Sequence, residues 1–292
     1  MMPLFKLLSH LPLSLLHRLG SLVGWLVYLG SPAYRRRMRA NLRQAGFASS
    51  RTLRAAIAAA GQGMLELPFV WLRPPGEPTR RVQVENWSVV ERALGQQRGV
   101  LFLMPHLGCF ELMGQVVAQR CPLTAMYRPH RKAALAPLVE AGRTRHGIAL
   151  ASADLRGVRT LAKALKRGEA TVILPDQVPS AGEGLWAPFF NKPAYTMTLP
   201  ARLALSQKPA IVLTYCERLP LSEDHSHRLW FLPLTDPLPK ELPEAVAAIN
   251  QHMETLIRRC PSQYLWAYNR YKTPAAALLP PADEPAETAG QA

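Results

Sequence analysis

The hydrophobic pattern divides the chain into three parts. Residues 11–30 form an apolar stretch that is interrupted only at His17 and Arg18. Beyond the turn-forming sequence PPGEP at 74–78, short apolar runs alternate with helical patterns. From residue 273 onward the chain is rich in alanine and proline and has no aromatic residue. The expected parts are an N-terminal membrane anchor helix in residues 1–34, a folded domain in residues 35–272 and a disordered tail in residues 273–292.

Alternating strand and helix patterns in the middle part predict an α/β fold. The strand candidates are residues 81–84, 99–104, 123–127, 170–174, 209–216 and 228–233. The helix candidates are residues 35–45, 50–67, 87–95, 108–119, 132–146, 155–167, 197–207 and 241–259. Strands that are joined through helices by short links favour parallel pairing. We therefore expect a mainly parallel central sheet flanked by helices.

The apolar stretch at 11–30 is marginal as a membrane span. Its uninterrupted part, Leu19 to Gly30, would be roughly 18 Å long as a helix, which is short of the ~30 Å hydrocarbon core. With the preceding residues included, it crosses only if Arg18 snorkels or pairs. The segment therefore either spans marginally or lies partly sunk in one leaflet. A buried soluble helix and a cleaved signal peptide are alternatives, but the arginine cluster directly after it favours a membrane anchor with a cytoplasmic flank.

The positive charge is concentrated at the N-terminus. The formal net charge is +15, and no Asp or Glu lies in residues 1–65. Such a segment suits nucleic acid, anionic lipid headgroups or an acidic protein. The adjacent apolar stretch favours the membrane, and we find no nucleic-acid-binding motif. We expect no nucleic acid partner, and a non-catalytic basic protein that binds a membrane surface or nucleic acid remains as the alternative of a different class.

The segment 99–113, GVLFLMPHLGCFELM, joins an apolar strand to a helix through a turn. In α/β sheets ligands bind at this end of the strands. His106 and Glu111 are five residues apart, so their side chains meet only if His106 lies in the turn and Glu111 in the first helical turn. We predict that His106 is a general base and that the Glu111 carboxylate fixes its tautomer from the far ring nitrogen. A structural His–Glu pair is the alternative.

This segment resembles the H-x4-D/E motif of glycerolipid acyltransferases, and more specifically the late acyltransferases of lipid A biosynthesis. Further blocks resemble that family in the same order, and together they cover about residues 10–272. They are RRRMRANL at 35–42, MYRPHR at 126–131, RTRHG at 143–147, GEATVILPDQ at 168–177, PFFNKPAYTMT at 188–198 and YLWAYNRYK at 264–272.

The resemblance implies an acyltransferase that moves acyl chains from acyl carrier protein to hydroxyls of a lipid A precursor. It implies a glycerolipid acyltransferase-like fold, a location at the inner membrane with the site facing the cytoplasm, and no metal or organic cofactor. The acidic carrier protein would suit the positive charge of the chain. An acyltransferase for another membrane lipid, such as a lysophospholipid or an aminolipid, is the nearer alternative.

Four further residues are candidates for substrate binding. Arg128 follows a strand, where its guanidinium could clamp a phosphate. Arg145 could do the same, although either arginine could instead cap a helix C-terminus or pair with an acid. Asp176 and Gln177 follow the strand at 170–174, and we expect them to organise the site by holding Arg128 or the acceptor. An ordinary turn is the alternative for both.

The four cysteines show no metal-binding spacing. We expect reduced thiols and no metal site. Cys109 lies three residues from His106, which could activate it as a nucleophile. A direct transfer needs no covalent intermediate, so we expect no catalytic step for Cys109.

Overall fold

A computed structural model of the chain describes residues 2–128, 136–220, 225–275 and 277. The strands are β1 Val82–Glu85, β2 Val100–Leu103, β3 Leu123–Tyr127, β4 Ala149–Ser152, β5 Ala170–Ile173, β6 Gly184–Phe189, β7 Lys192–Met197, β8 Ala210–Arg218 and β9 His227–Pro233. The helices are α1 Met2–Ser9, α2 Leu13–Gly30, α3 Pro32–Gln44, α4 Ser50–Leu65, α5 Leu67–Leu72, α6 Trp87–Gly95, α7 Phe110–Ala118, α8 Ala136–Arg143, α9 Leu155–Lys166, α10 Leu199–Gln207 and α11 Leu242–Arg259.

Seven of these strands form one sheet in the order β1-β9-β8-β2-β5-β3-β4. All neighbouring pairs are parallel except β8 and β9. Every residue of β2 and β5 is buried, as expected for central strands that are covered by helices on both faces. The predicted α/β fold with a mainly parallel sheet is confirmed.

Three strands were missed by the sequence pattern. Strand β4 has the sequence ALAS, whose small residues carry little strand signal. Strands β6 and β7 form a separate antiparallel hairpin in which Pro188 lies opposite Pro193, and proline argues against a strand. The two-residue loop, Phe190 and Asn191, has positive φ at both positions, yet it lacks the Asn-Gly signal of such turns.

Two predicted segments fall partly outside the described residues. Of the helix expected at 132–146, the structure describes α8, which begins at Ala136. Of the tail expected at 273–292, only residues 273–275 and 277 are described.

The N-terminal helices pack on the folded domain. The backbones of α2 and α4 approach so closely that a Cβ atom at Gly61 would collide with the carbonyl group of Gly20. Gly24 meets the carbonyl oxygen of Ile57 in the same way. Two helical segments of the described chain, Leu13–Gly30 and Ser50–Leu72, are long and apolar enough to cross a membrane by length and composition.

The glycine contact predicts a steric requirement at the α2–α4 crossing. We expect Gly61→Ala to destabilise the protein by about 1–3 kcal/mol, because overpacking forces the two backbones apart. The matched control is Gly30→Ala at the end of α2, where nothing lies within 4 Å of an added Cβ. Thermal unfolding in detergent measures both variants. Equal stability of Gly61→Ala and Gly30→Ala would contradict the close crossing.

Candidate active site

Two neighbouring strands place His106 beside Asp176. In the parallel pair β2–β5, Leu103 lies opposite Ile173. His106 follows Leu103 by three residues, and Asp176 follows Ile173 by three residues. The two side chains therefore leave the same edge of the sheet at the same height, which is the edge where α/β proteins bind ligands.

The turn after His106 is fixed by its contact with β8. Gly108 has a φ of +61°, and a Cβ atom there would collide with the carbonyl group of Cys216. That carbonyl accepts a hydrogen bond from the backbone N–H of Cys109 at 2.8 Å. A glycine is therefore required between His106 and helix α7.

His106 is held by three hydrogen bonds. Its backbone N–H donates to Oδ2 of Asp176 at 2.9 Å, and its Nδ1 lies 2.7 Å from Oδ1 of the same carboxylate. Its Nε2 lies 3.1 Å from the amide nitrogen of Gln177. A carboxylate only accepts, so Nδ1 carries the proton of the neutral imidazole and the Nε2 lone pair accepts from Gln177. This tautomer leaves Nε2 as the atom that can take a proton.

The charge of Asp176 is maintained although the side chain is buried. Burial raises the pKa of the carboxyl, but the charge and hydrogen bonds of His106, together with nearby Arg270, outweigh it and lower the pKa. The neighbouring hydroxyl of Tyr264 stays neutral, because burial and the adjacent Asp176 raise its pKa well above the ordinary value. Asp176 is therefore ionised and able to stabilise an imidazolium at His106.

The contact expected between Glu111 and His106 is not formed, and this corrects the sequence interpretation. Glu111 does lie in the first turn of α7. Its carboxylate accepts from Nε of Arg143 at 3.0 and 3.2 Å and from Nε1 of Trp71 at 3.3 Å. The physical reason is that α8 brings a guanidinium to Glu111, while β5 brings a different carboxylate to His106. The Phe110 ring packs edge-on against the imidazole instead, with 4.9 Å between ring centroids.

A cavity of about 840 Å³ connects these groups. His106, Glu111, Arg143 and Gln177 lie in its wall. The rest of the wall is largely apolar and includes Met104, Met113, Ala125, Met126, Ile148, Leu150, Val158, Val172, Leu174, Val178, Met197 and Leu199. A few convergent polar groups in an apolar cavity of this size are typical of a small-molecule site. Its size and lining suit a long hydrocarbon chain.

The remaining predicted residues differ in position. Arg128 lines the cavity at its rim, where the side chain is 56% exposed and lies near Ser180 and Glu183. Arg145 instead donates to the carbonyl oxygens of Trp71 and Arg73 at the end of α5, which is the helix-capping alternative.

Arg143 is a site residue that the sequence analysis missed. It lies two residues before Arg145 in the RTRHG block, and it is the arginine of that block that lines the cavity. Burial lowers its pKa, but Glu111 outweighs this and raises it, so the guanidinium is charged. Arg143 is the last residue of α8, whereas Arg145 lies in the 3-10 turn that follows, and the sequence pattern continued the helix to residue 146.

One buried group among the described residues has the composition of a metal site. His17, Glu66 and His227 bring ligand atoms within 4.8 Å of one another. Arg218 also binds both oxygens of Glu66. A guanidinium so close to the carboxylate supplies the positive charge that a cation would otherwise supply and repels a second one. We therefore interpret the group as a buried ion-pair cluster.

Comparisons with known proteins identify the family of this chain. The sequence profile described as "Bacterial lipid A biosynthesis acyltransferase" matches residues 2–273. The chain is similar to the "Lipid A biosynthesis palmitoleoyltransferase" of Escherichia coli (strain K12), with 29% identity over 213 residues, which are 73% of this chain and 69% of the relative. It is also similar to the lauroyltransferase of that organism (27% identity, 73% and 69% covered) and to its myristoyltransferase (25%, 74% and 67%). The profile match includes every residue of the candidate site.

The cysteine next to the catalytic turn is predicted to be unreactive. Cys109 is buried, and burial, with the negative charge of Glu66, raises its pKa well above the ordinary value. In the folded protein we expect an alkylating reagent to modify the half-buried Cys121 before Cys109, as measured by peptide mass spectrometry. Unfolded protein, in which all four thiols react, is the control. Rapid alkylation of Cys109 in the folded enzyme would revive the nucleophile hypothesis.

Proposed function

This chain belongs to the bacterial lipid A biosynthesis acyltransferase family, and we propose that it moves a fatty acyl chain from acyl carrier protein to a hydroxyl group of a lipid A precursor. The observation that carries the proposal is His106, which lies in the wall of an apolar cavity and is bound from behind by the buried Asp176. Thioester acyl transfer to an alcohol needs a base, an apolar site for the chain and electrostatic support for the oxyanion. The cavity offers a candidate for each.

His106 is the general base in this proposal. A hydroxyl of the acceptor lipid takes the place of the Gln177 amide at Nε2, and Nε2 removes its proton as the oxygen attacks the thioester carbonyl. Asp176 holds the imidazole in the required tautomer and stabilises the imidazolium that forms. The tetrahedral intermediate then collapses, the carbon–sulfur bond breaks, and the imidazolium returns the proton to the leaving thiolate. The products are an ester and a free thiol, so no covalent enzyme intermediate is required.

Glu111 and Arg143 form the second polar pair of the cavity. The Arg143 guanidinium donates from Nε and Nη2 to the Glu111 carboxylate, which also accepts from Nε1 of Trp71. A guanidinium fixed in an apolar wall can stabilise a developing oxyanion or a phosphate group of the acceptor. We therefore assign Glu111 to the site as the residue that positions Arg143. The carboxylate that acts with His106 is Asp176.

Arg128 is suited to binding outside the reacting centre. It lies at the exposed rim of the cavity, where phosphate groups of the donor or acceptor would pass. Acyl carrier proteins are acidic, and the chain has a net charge of +15, so electrostatic attraction favours their encounter. The acidic donor and the N-terminal apolar helix together support a site at the cytoplasmic face of the inner membrane.

The apolar cavity wall is suited to binding the acyl group of the donor. Its methionine, leucine, isoleucine and valine side chains offer dispersion contacts along a flexible chain without polar competition. The three relatives named above transfer palmitoleoyl, lauroyl and myristoyl groups. We therefore propose a medium or long fatty acyl chain as the transferred group.

A double-mutant cycle can identify the carboxylate that acts with His106. We expect His106→Ala to lower kcat by about 10²–10⁴-fold, since the only base in the proposal is lost. Asp176→Asn should also be severe, because the asparagine amide donates to Nδ1 and selects the wrong tautomer. Since the two act as a unit, the double variant should be little slower than His106→Ala. Glu111→Gln, which acts through Arg143, should lower the residual rate of His106→Ala further.

Transfer from acyl carrier protein thioesters to purified lipid A precursor measures these rates, and the melting temperature of each variant controls for misfolding. If Glu111→Gln adds nothing to His106→Ala while Asp176→Asn does, Glu111 is the catalytic carboxylate and the assignment is reversed. A well-folded His106→Ala variant with near-normal transfer would overturn the mechanism.

Arg128 predicts a separate effect on binding. Arg128→Ala should raise the apparent KM severalfold with little change in kcat, because the guanidinium lies at the rim and away from the reacting atoms. Arg128→Lys should restore KM only in part, since the bidentate fork is lost. Arg92→Ala, at an exposed arginine on α6, is the control for a general loss of charge. Unchanged KM in both Arg128 variants would exclude a binding role.

A further inference from the structure

Helix α2 has two faces of opposite character. The buried face packs on the domain and consists of Leu13, Leu16, His17, Gly20, Gly24 and Tyr28. The outer face carries what we call the leucine row, which consists of Leu15, Leu19, Leu22, Leu26 and Leu29. These five side chains are between 36% and 62% exposed. Their spacing of three and four residues places them within a sector about 80° wide on an ideal helix.

Both ends of α2 are attached to the same folded body. Before the helix, the guanidinium of Arg73 donates to the carbonyl oxygens of Ser9, His10 and Leu11 at 2.5 to 3.2 Å. After the helix, Asn41 of α3 donates to the carbonyl oxygens of Trp266 and Tyr268 at 2.7 and 2.9 Å. The chain that enters α2 and the chain that leaves it are therefore both held by residues of the catalytic domain.

Helix α2 is also attached to the domain between its ends, through a buried ion pair and a hydrogen bond. Nε2 of His17 lies 3.2 Å from the Glu66 carboxylate, which is in turn bound by Arg218 at the end of β8. The side chain of Gln62 in α4 donates to Ser21 at 2.9 Å. If α2 crossed the bilayer in this state, these groups and part of the central sheet would lie at hydrocarbon depth. Charged groups are costly at that depth.

We propose that α2 does not cross the membrane, and that it lies in the plane of the cytoplasmic leaflet with the leucine row at the boundary between headgroups and acyl chains. This inference rests on the membrane location given under the proposed function. Helix α2 is about 27 Å long, so an in-plane helix lays its whole length against one leaflet. Half-buried helices with a narrow apolar outer face are typical of such interfacial binding.

The positive charge beside the leucine row indicates that the row binds an anionic lipid surface. Arg18 is exposed next to the row, and the following helix α3 carries exposed arginines at 36, 37, 39 and 43. Basic side chains near an anionic leaflet are attracted to its negative surface potential. A second copy of the chain is a poor partner for this face of α2, because symmetric pairing would bring two arginine clusters together. Helix α1, which precedes α2, also exposes two leucines, Leu4 and Leu7.

Membrane depth measured at each position of the leucine row distinguishes the two orientations. The full chain carries one spin label at a time at Leu15, Leu19, Leu22, Leu26 or Leu29, in a Cys121→Ser background and bound to vesicles of phosphatidylethanolamine and phosphatidylglycerol. Relative accessibility to oxygen and to a water-soluble nickel complex reports the depth of each label. An in-plane helix gives the same shallow depth at all five positions. A spanning helix shifts by about 1.5 Å per residue, or about 21 Å from the first label to the last.

A depth gradient across the five labels would overturn the proposal, and so would five labels at aqueous depth. The matched charge variants are Leu26→Glu in the row and Gln96→Glu at the exposed position directly after α6. We expect Leu26→Glu to weaken vesicle binding at least tenfold and Gln96→Glu to leave it unchanged. Equal binding of the two variants would also contradict the proposal. None of these readouts requires turnover, so failure here is distinct from failure of the acyl transfer reaction, which the His106 variants test.

Discussion

The buried carboxylate of Glu66 joins the N-terminal helices, the central sheet and the turn that carries His106. Arg218 binds both of its oxygens and also donates to the carbonyl of Gly108 at 2.9 Å. Histidines of α2 and β9 hydrogen-bond the same carboxylate. Burial raises the pKa of Glu66, but Arg218 and the two histidines lower it well below the ordinary range, so the group stays charged. Breaking such a buried pair typically costs about 3–5 kcal/mol. The geometry at His106 therefore depends on charges that lie outside the cavity.

A second constraint is the register of two parallel strands. His106 and Asp176 are seventy residues apart, and they meet because β2 and β5 are neighbours with matched offsets. The sequence pattern located both strands and marked both residues, since each follows an apolar run at the edge where ligands bind. It did not predict their contact, because strand order is set by packing of the whole sheet. The sequence instead pairs His106 with Glu111, the acid of the H-x4-D/E motif, which lies in the first turn of the following helix.

Local sequence patterns were sufficient to predict most helices and strands. They were insufficient where tertiary contacts determine the backbone conformation or the position of a side chain. Amphipathic helices such as α6 and apolar strands such as β3 have a strong period, and their bounds were predicted correctly. The β6–β7 hairpin was missed because its prolines oppose the local preference, and packing of its aromatic side chains into the core compensates. Arg143 and Arg145 have the same chemistry two residues apart. Arg143 reaches the cavity from the last position of α8, and Arg145 points to the end of α5 because the helix has ended and the chain has turned.

The two faces of α2 are open to substitution in different ways. On the outer face any bulky apolar side chain can serve, so mutations there can accumulate without correlated change elsewhere. On the inner face His17 is matched to a carboxylate and Gly20 to the backbone of α4, so each can change only together with a partner in another segment. A hybrid enzyme that takes its first thirty residues from a relative would therefore inherit its lipid affinity easily. It would fold only if the donor sequence also brought a histidine and small residues to face Glu66 and α4.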